Sequence, residues 1–236
     1  MAVPWLDGYY AIPSSFKLQK SKSFQSARIY GQDVSSGAAV AALLSSIHDI
    51  GITNKDADMP EQESKNNLRI LDLCCCPGLK LCAIADTLYT EHKYGDIFGV
   101  DISDSRMSVC KHILHKYQIQ PLFARTSDIS KVEASNDNMH QIRIKLFCND
   151  GKNLATMDCD NLNLVFDSTI AYEDEASRMG KRKRMNKSSK AREAKRLKEV
   201  ASLCGYNNDR NSKLELFDRV LVDTECSTDG SIVHTQ

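Results

Sequence analysis

The sequence predicts an α/β fold built on a doubly wound parallel sheet, and three observations predict it. Short apolar runs rich in branched residues recur along the chain. Stretches with helical spacing follow the first two of them. An acid or a tight turn stands at the end of each run. Runs of this kind mark strands buried on both faces by crossover helices.

Taken in order, Val34 to Ile47 is rich in Ala and Leu and predicts a helix, with Asp33, Ser35 or Ser36 as its N-cap. Asn54 to Asn67 is polar and charged and reads as a loop. Leu68 to Cys74 is the first strand, and it runs into Pro77-Gly78. Lys80 to Leu88 then sets Leu81, Ile84, Ala85 and Leu88 on one helical face. Asp96 to Asp101 is a second strand. Asp104 to Tyr117 is a second helix, with Met107, Cys110, Ile113 and Leu114 apolar. Ile142 to Cys148 is a third strand and Leu216 to Asp223 a fourth. Between these two, residues 155–214 show no apolar periodicity. Tyr172-Glu-Asp-Glu175 is acidic, and Arg178 to Lys198 is dense in Lys and Arg. The stretch reads as a basic surface insertion, helical near Ala191 to Val200 and otherwise disordered.

The 236 residues suffice for one sizeable core, and a hydrophobic share of 42% suits a globular chain. No apolar run approaches the roughly 20 residues of a membrane span. Met1-Ala2-Val3-Pro4-Trp5 lacks the charged-then-apolar pattern of a secretory signal. Lys plus Arg and Asp plus Glu number 31 each, so net charge selects no partner. Nine cysteines without such a signal imply a reducing, intracellular compartment. No two are spaced C-x-x-C, and no His is placed to complete a zinc cluster, so no metal is expected. Most of the cysteines read as small buried residues.

Four features fall at strand ends, where open α/β sheets bind ligands. The first is the turn Asp72-Leu-Cys74-Cys75-Cys76-Pro77-Gly78-Leu79-Lys80. Gly78 permits close backbone approach, and the next helix offers free N–H groups to a carboxylate. S-adenosyl-L-methionine has a carboxylate, a sulfonium and a ribose, so the turn fits its methionine end. The second is Asp101, which can accept from both ribose hydroxyls. The third is Asp150, placed to accept from an adenine amino group. The fourth is Asp223, followed by Thr-Glu-Cys226-Ser-Thr-Asp-Gly230. Each acid alone is an ordinary cap or turn residue; four on successive strand ends form a pattern.

On these residues the chain resembles the RsmB/Nop/Sun family of RNA cytosine-5 methyltransferases. The family text Asp-x-Cys-Ala-Ala-Pro-Gly-Gly-Lys is similar to Asp72 through Lys80. Phe-Asp-x-Val-Leu-x-Asp-x-Pro-Cys-Ser-Gly-x-Gly is similar to Phe217 through Gly230. Tyr30-Gly-Gln-Asp-Val-Ser-Ser36 and Val100-Asp101-Ile-Ser-Asp-Ser-Arg106 resemble two further family segments. The likeness spans about residues 28–150 and 214–231. Leu79, Glu225 and Thr228 depart from it; Glu225 replaces a proline and adds a charge beside the base site.

The resemblance implies a Rossmann-like class I methyltransferase sheet, with four of its seven strands present. It implies an N-terminal segment over 1–67 and an S-adenosylmethionine-binding domain over 68–236 that contains the insertion 155–214. The implied cofactor contacts are Cys74, Cys75, Cys76, Pro77, Gly78, Leu79, Lys80, Asp101, Arg106, Asp150 and Asp223. The implied partner is tRNA or rRNA. A thiolate adding to cytosine C6 makes C5 nucleophilic, with an acid near N3 and a base for the C5 proton. Asp223 suits the acid. From the residues alone Cys226 is the nucleophile; the resemblance assigns it product release and puts the attacking cysteine in a later Thr-Cys-Ser motif, beyond Gln236. The expectation is therefore the N-terminal part of such an enzyme, itself inactive. An RNA-binding scaffold without catalysis and a class I methyltransferase with another substrate are the rival readings. Lys181-Arg-Lys-Arg184 with Lys195-Arg196 is similar to a nuclear localisation signal, which leaves nucleus, nucleolus and cytoplasm open.

Overall fold

A computed structural model describes residues 1–45, 67–91, 93–119, 142–156, 162–177, 187–203 and 217–224 of the chain. Its strands are β1 (Asn67–Asp72), β2 (Tyr94–Asp101), β3 (Ile142–Cys148), β4 (Leu164–Asp167) and β5 (Arg219–Leu221). They make one sheet in the order β4-β3-β2-β1-β5. β1 pairs in parallel with β2 and with β5, β2 pairs in parallel with β3, and β4 lies antiparallel to β3. The helices are α1 (Lys22–Gln25), α2 (Val34–Leu44), α3 (Leu79–Thr90), α4 (Asp104–Leu114), α5 (Ser168–Ser177) and α6 (Lys187–Leu203).

Register gives the sheet two distinct faces. Ile70, Ile97 and Ile144 are direct neighbours across β1, β2 and β3. Because strand side chains alternate, this row and Leu146 face one side. There they pack against Val40 and Leu44 of α2, Leu81, Ile84 and Leu88 of α3, and Met107 and Leu114 of α4. Leu71, Val100 and Phe147 face the other side, with Leu164, Ile170 and Leu197. Gly99 sits where α3 presses closest. A Cβ there would lie 2.7 Å from Leu146 Cδ2 and 2.9 Å from Leu81 Cδ1. The N-terminal segment is tied to this layer by Tyr30, whose hydroxyl donates to Asp86 Oδ2 at 2.8 Å.

The α/β class and the helices after β1 and β2 agree with the sequence pattern. The sheet differs from it in two ways: it is mixed rather than wholly parallel, and it has five strands among the described residues rather than four. The extra strand, β4, comes from within 155–214, and so do α5 and α6. That part of the supposed surface insertion closes the second face of the core. Four residues, Leu164-Val-Phe-Asp167, are too few to display a period, and the single buried side chain named on α6, Leu197, is hidden among charges. Residues 178–186 and 204–216, and the loop residues 54–66, lie outside the described residues. Element ends shift by a few residues. β5 is shorter than Leu216 to Asp223, and α4 passes at His115–Ile119 into a π-helical turn.

Leu197→Ala should cost about 2 kcal/mol or more, the usual cost of emptying a buried leucine site. Urea unfolding measures it; a change within a few tenths of a kcal/mol would show that α6 does not seal this face.

Candidate functional site at the carboxyl edge of the sheet

The site begins where β1 ends. Asp72 is fully buried. Its Oδ1 accepts from the Cys74 N–H at 3.2 Å, and its Oδ2 has no hydrogen-bond partner. The chain then leaves the sheet as a turn stitched on both sides. The Leu73 N–H donates to the Leu221 carbonyl beyond β1's edge, and the Cys75 N–H donates to the Val100 carbonyl of β2, each at 3.0 Å. Gly78 has φ +105°, in the left-handed region, and a Cβ there would lie 2.7 Å from Cys110 Sγ. Both conformation and space therefore demand glycine. Gly78 is the N-cap of α3, and no side chain caps that helix start. The first N–H groups of α3 are thus left as donors beside the turn.

Pro77, Leu79 and Lys80 follow in the same turn. The Lys80 ammonium forms an ion pair with Asp223, which lies two residues beyond β5. This pair spans the point where the order of strands reverses, between β1 and β5. Open α/β sheets bind ligands at such a point.

Asp101 closes β2 and is buried. Its Oδ1 accepts from the Ser103 N–H at 2.9 Å, and its Oδ2 faces Arg106 Nη2 at 3.3 Å. Arg106 Nη2 also donates to the Cys76 carbonyl at 3.4 Å, tying α4 to the turn. The Asn149 N–H donates to the Asp101 carbonyl at 3.1 Å, which levels the ends of β2 and β3. Asp150 accepts from the Lys152 N–H at 3.0 Å and from Asn153 Nδ2 at 3.4 Å, so its carboxylate caps the short helical turn Gly151–Thr156. The structure thus gathers Cys74 to Lys80, Asp101, Arg106, Asp150 and Asp223 on one edge. Cys226 and Glu225 lie outside the described residues.

Two residues join this edge that the sequence reading did not select. One is Asp72, whose signal was an acid ending an apolar strand. Burial raises its carboxyl from 3.8 to about 7; the Cys74 N–H and Lys80 oppose the rise, and Asp223 adds to it. The other is Cys110 on α4, distant in sequence from the turn. The sulfurs of Cys75, Cys76 and Cys110 lie within 4.8 Å of one another. Hydrogen bonds from Cys110 and Cys75 pull the Cys76 thiol below its ordinary range.

The basic run is partly engaged within the fold. Arg196 donates to Asp174 Oδ1 at 2.7 Å and pairs with Glu173, whereas Arg192, Lys195 and Lys198 are exposed. Lys181 to Arg184 lies outside the described residues. Among the described residues, no helix is long and apolar enough to cross a membrane. In comparisons with known proteins, no family model matches the chain and no curated protein matches it.

A carboxyl whose pKa rises on folding contributes stability that is present at low pH and lost as pH climbs through the folded value, here about 7. Asp72→Asn keeps an acceptor for Cys74 and never ionises. Its unfolding free energy relative to the parent, read by urea unfolding, should therefore rise between about pH 4 and pH 7 by up to about 1.4 kcal/mol per pH unit, and level off above about pH 7. A pH-independent gap would place the Asp72 titration elsewhere.

Proposed function

We propose that this chain carries the S-adenosyl-L-methionine-binding part of an RNA cytosine-5 methyltransferase of the RsmB/Nop/Sun kind, built on a Rossmann-like class I sheet. One observation carries the reading: the level carboxyl ends of β1, β2, β3 and β5 each present a polar group to one edge, on both sides of the strand-order reversal. The motif text carries the choice of family. Cys226, three residues after Asp223, supplies the thiol that cytosine chemistry needs and that N- or O-methylation does not.

The residues present fit the cofactor. The uncapped start of α3 suits its carboxylate. Asp72 Oδ2, buried and without a partner, is an acceptor for a cationic group at the turn, whose charge would favour the ionised carboxylate. A carboxylate has about four acceptor sites, and Ser103, Arg106 and Cys76 engage three of them on Asp101, which leaves an acceptor for a ribose hydroxyl. Asp150, anchored by its own turn, stands at the third strand end for an adenine amino group. When bound, the cofactor supplies an electrophilic methyl group. Asp223, held by Lys80, is placed to contact the base. The exposed Arg192, Lys195 and Lys198 on α6 offer charge to a phosphate backbone.

Calorimetric titration tests the cofactor half of the proposal. The chain should bind S-adenosylmethionine, and Asp101→Ala should weaken binding about 10-fold or more, since lost hydrogen bonds to a charged group cost roughly 1.5–3 kcal/mol. Circular dichroism checks that the variant is folded. Unchanged affinity in a folded variant removes Asp101 from the site, and no binding by the folded parent overturns the reading. Labelled methyl recovered at C5 of cytosine, rather than on protein or another base atom, decides the substrate half.

A further inference from the structure

We propose that Cys75, Cys76 and Cys110 form a three-thiolate site for a soft monovalent cation of the copper(I) type. Their sulfurs lie within 4.8 Å of one another. Three ligands at a metal–sulfur distance of about 2.3 Å around a common centre stand about 4 Å apart, so only small adjustments close the site. The three come from two elements packed face to face: Cys75 and Cys76 from the turn after β1, Cys110 from α4. Gly78 seats the turn directly on Cys110. Cys75 and Cys110 are buried, and Cys76 is partly buried.

Positions 75 and 76 both carry sulfur, and both sulfurs meet a third on the neighbouring helix. The ligand set also selects the ion. Thiolate ligands favour copper(I) and zinc over harder cations. Structural zinc sites take four protein ligands, and among the described residues the group that lies mutually within 4.8 Å holds these three sulfurs and no further His, Cys, Asp or Glu atom. Asp101 also accepts a hydrogen bond from Cys76, but stays outside the group and is held by Ser103 and Arg106. Three sulfurs without a fourth ligand suit copper(I).

On binding, each S–H that ligates releases its proton to solvent and forms an S–Cu bond. Copper remains copper(I), and no oxidant or reductant is consumed. The Arg106 guanidinium, which donates to the Cys76 carbonyl at 3.4 Å, stands against the negative charge of the thiolates. The site uses Cys75 and Cys76 of the turn assigned to the cofactor, but it does not rest on that assignment.

The test is anaerobic titration of the full chain with copper(I) under reductant, in competition with bathocuproine disulfonate. The parent should retain one equivalent against the chelator. Loss of an outer partner of a metal ligand already costs about 10-fold in affinity, so Cys76→Ala and Cys110→Ala should each cost at least that. Cys148→Ala, at the end of β3, should retain the parent's equivalent. Circular dichroism separates ligand loss from unfolding, and Cys76→Ala keeps the test open if Cys110→Ala does not fold. Failure of the folded parent to retain copper(I), retention by folded Cys76→Ala, or tighter retention of zinc(II) than of copper(I) would each overturn the proposal.

Discussion

The constraint on which everything else rests is the level parallel register of β1, β2 and β3. Asp72 lies opposite Gly99, and Asp101 opposite Cys148, so the three strands finish within a few residues of one another. A slip of one residue would turn the row Ile70–Ile97–Ile144 to the other face and send Asp72 and Asp101 with it. The hydrophobic pattern therefore positions the acids. The core does not merely support the edge; it specifies which polar atoms the edge shows.

Close approach is the second theme. Gly99 lets α3 and the turn settle onto β2, and Gly78 lets the turn settle onto α4. These contacts bring together atoms that belong to different elements: the Cys75 N–H with Val100, Arg106 with both Asp101 and the Cys76 carbonyl. A turn fixed from three sides keeps its backbone donors oriented without the flexibility of a free loop. That is preorganisation, and it lowers the entropic cost of binding whatever occupies the edge.

Much of this was legible in the sequence, for definite reasons. Strands β1 to β3 are long enough and branched enough to stand out, and Pro77-Gly78 punctuates the first of them. The ends of strands point to Asp101, Asp150 and Asp223 without any structure. β4 was not legible, because four residues between polar neighbours carry no period. The helix near Ala191 to Val200 was legible, but not its packing on the core, because Leu197 and Val200 contribute to it amid lysines and arginines. Cys110 escaped because proximity across two elements leaves no trace in spacing. Asp72 does not stand out within its motif, since its importance lies in burial rather than in position along the chain.

The pairing of α5 with α6 has an electrostatic consequence. In the sequence, the acidic stretch near Glu173 and the basic stretch near Arg196 look like two separate blocks of charge. In space they meet, with Arg196 held between Glu173 and Asp174. Opposite charges in contact make a dipole rather than a monopole, and a dipole's field fades faster with distance. Beyond about 10 Å in ordinary salt, screening removes most of what is left. The clamp therefore cancels the long-range field of Arg196 itself, while Arg192, Lys195 and Lys198 project past it and act on whatever comes into contact with α6.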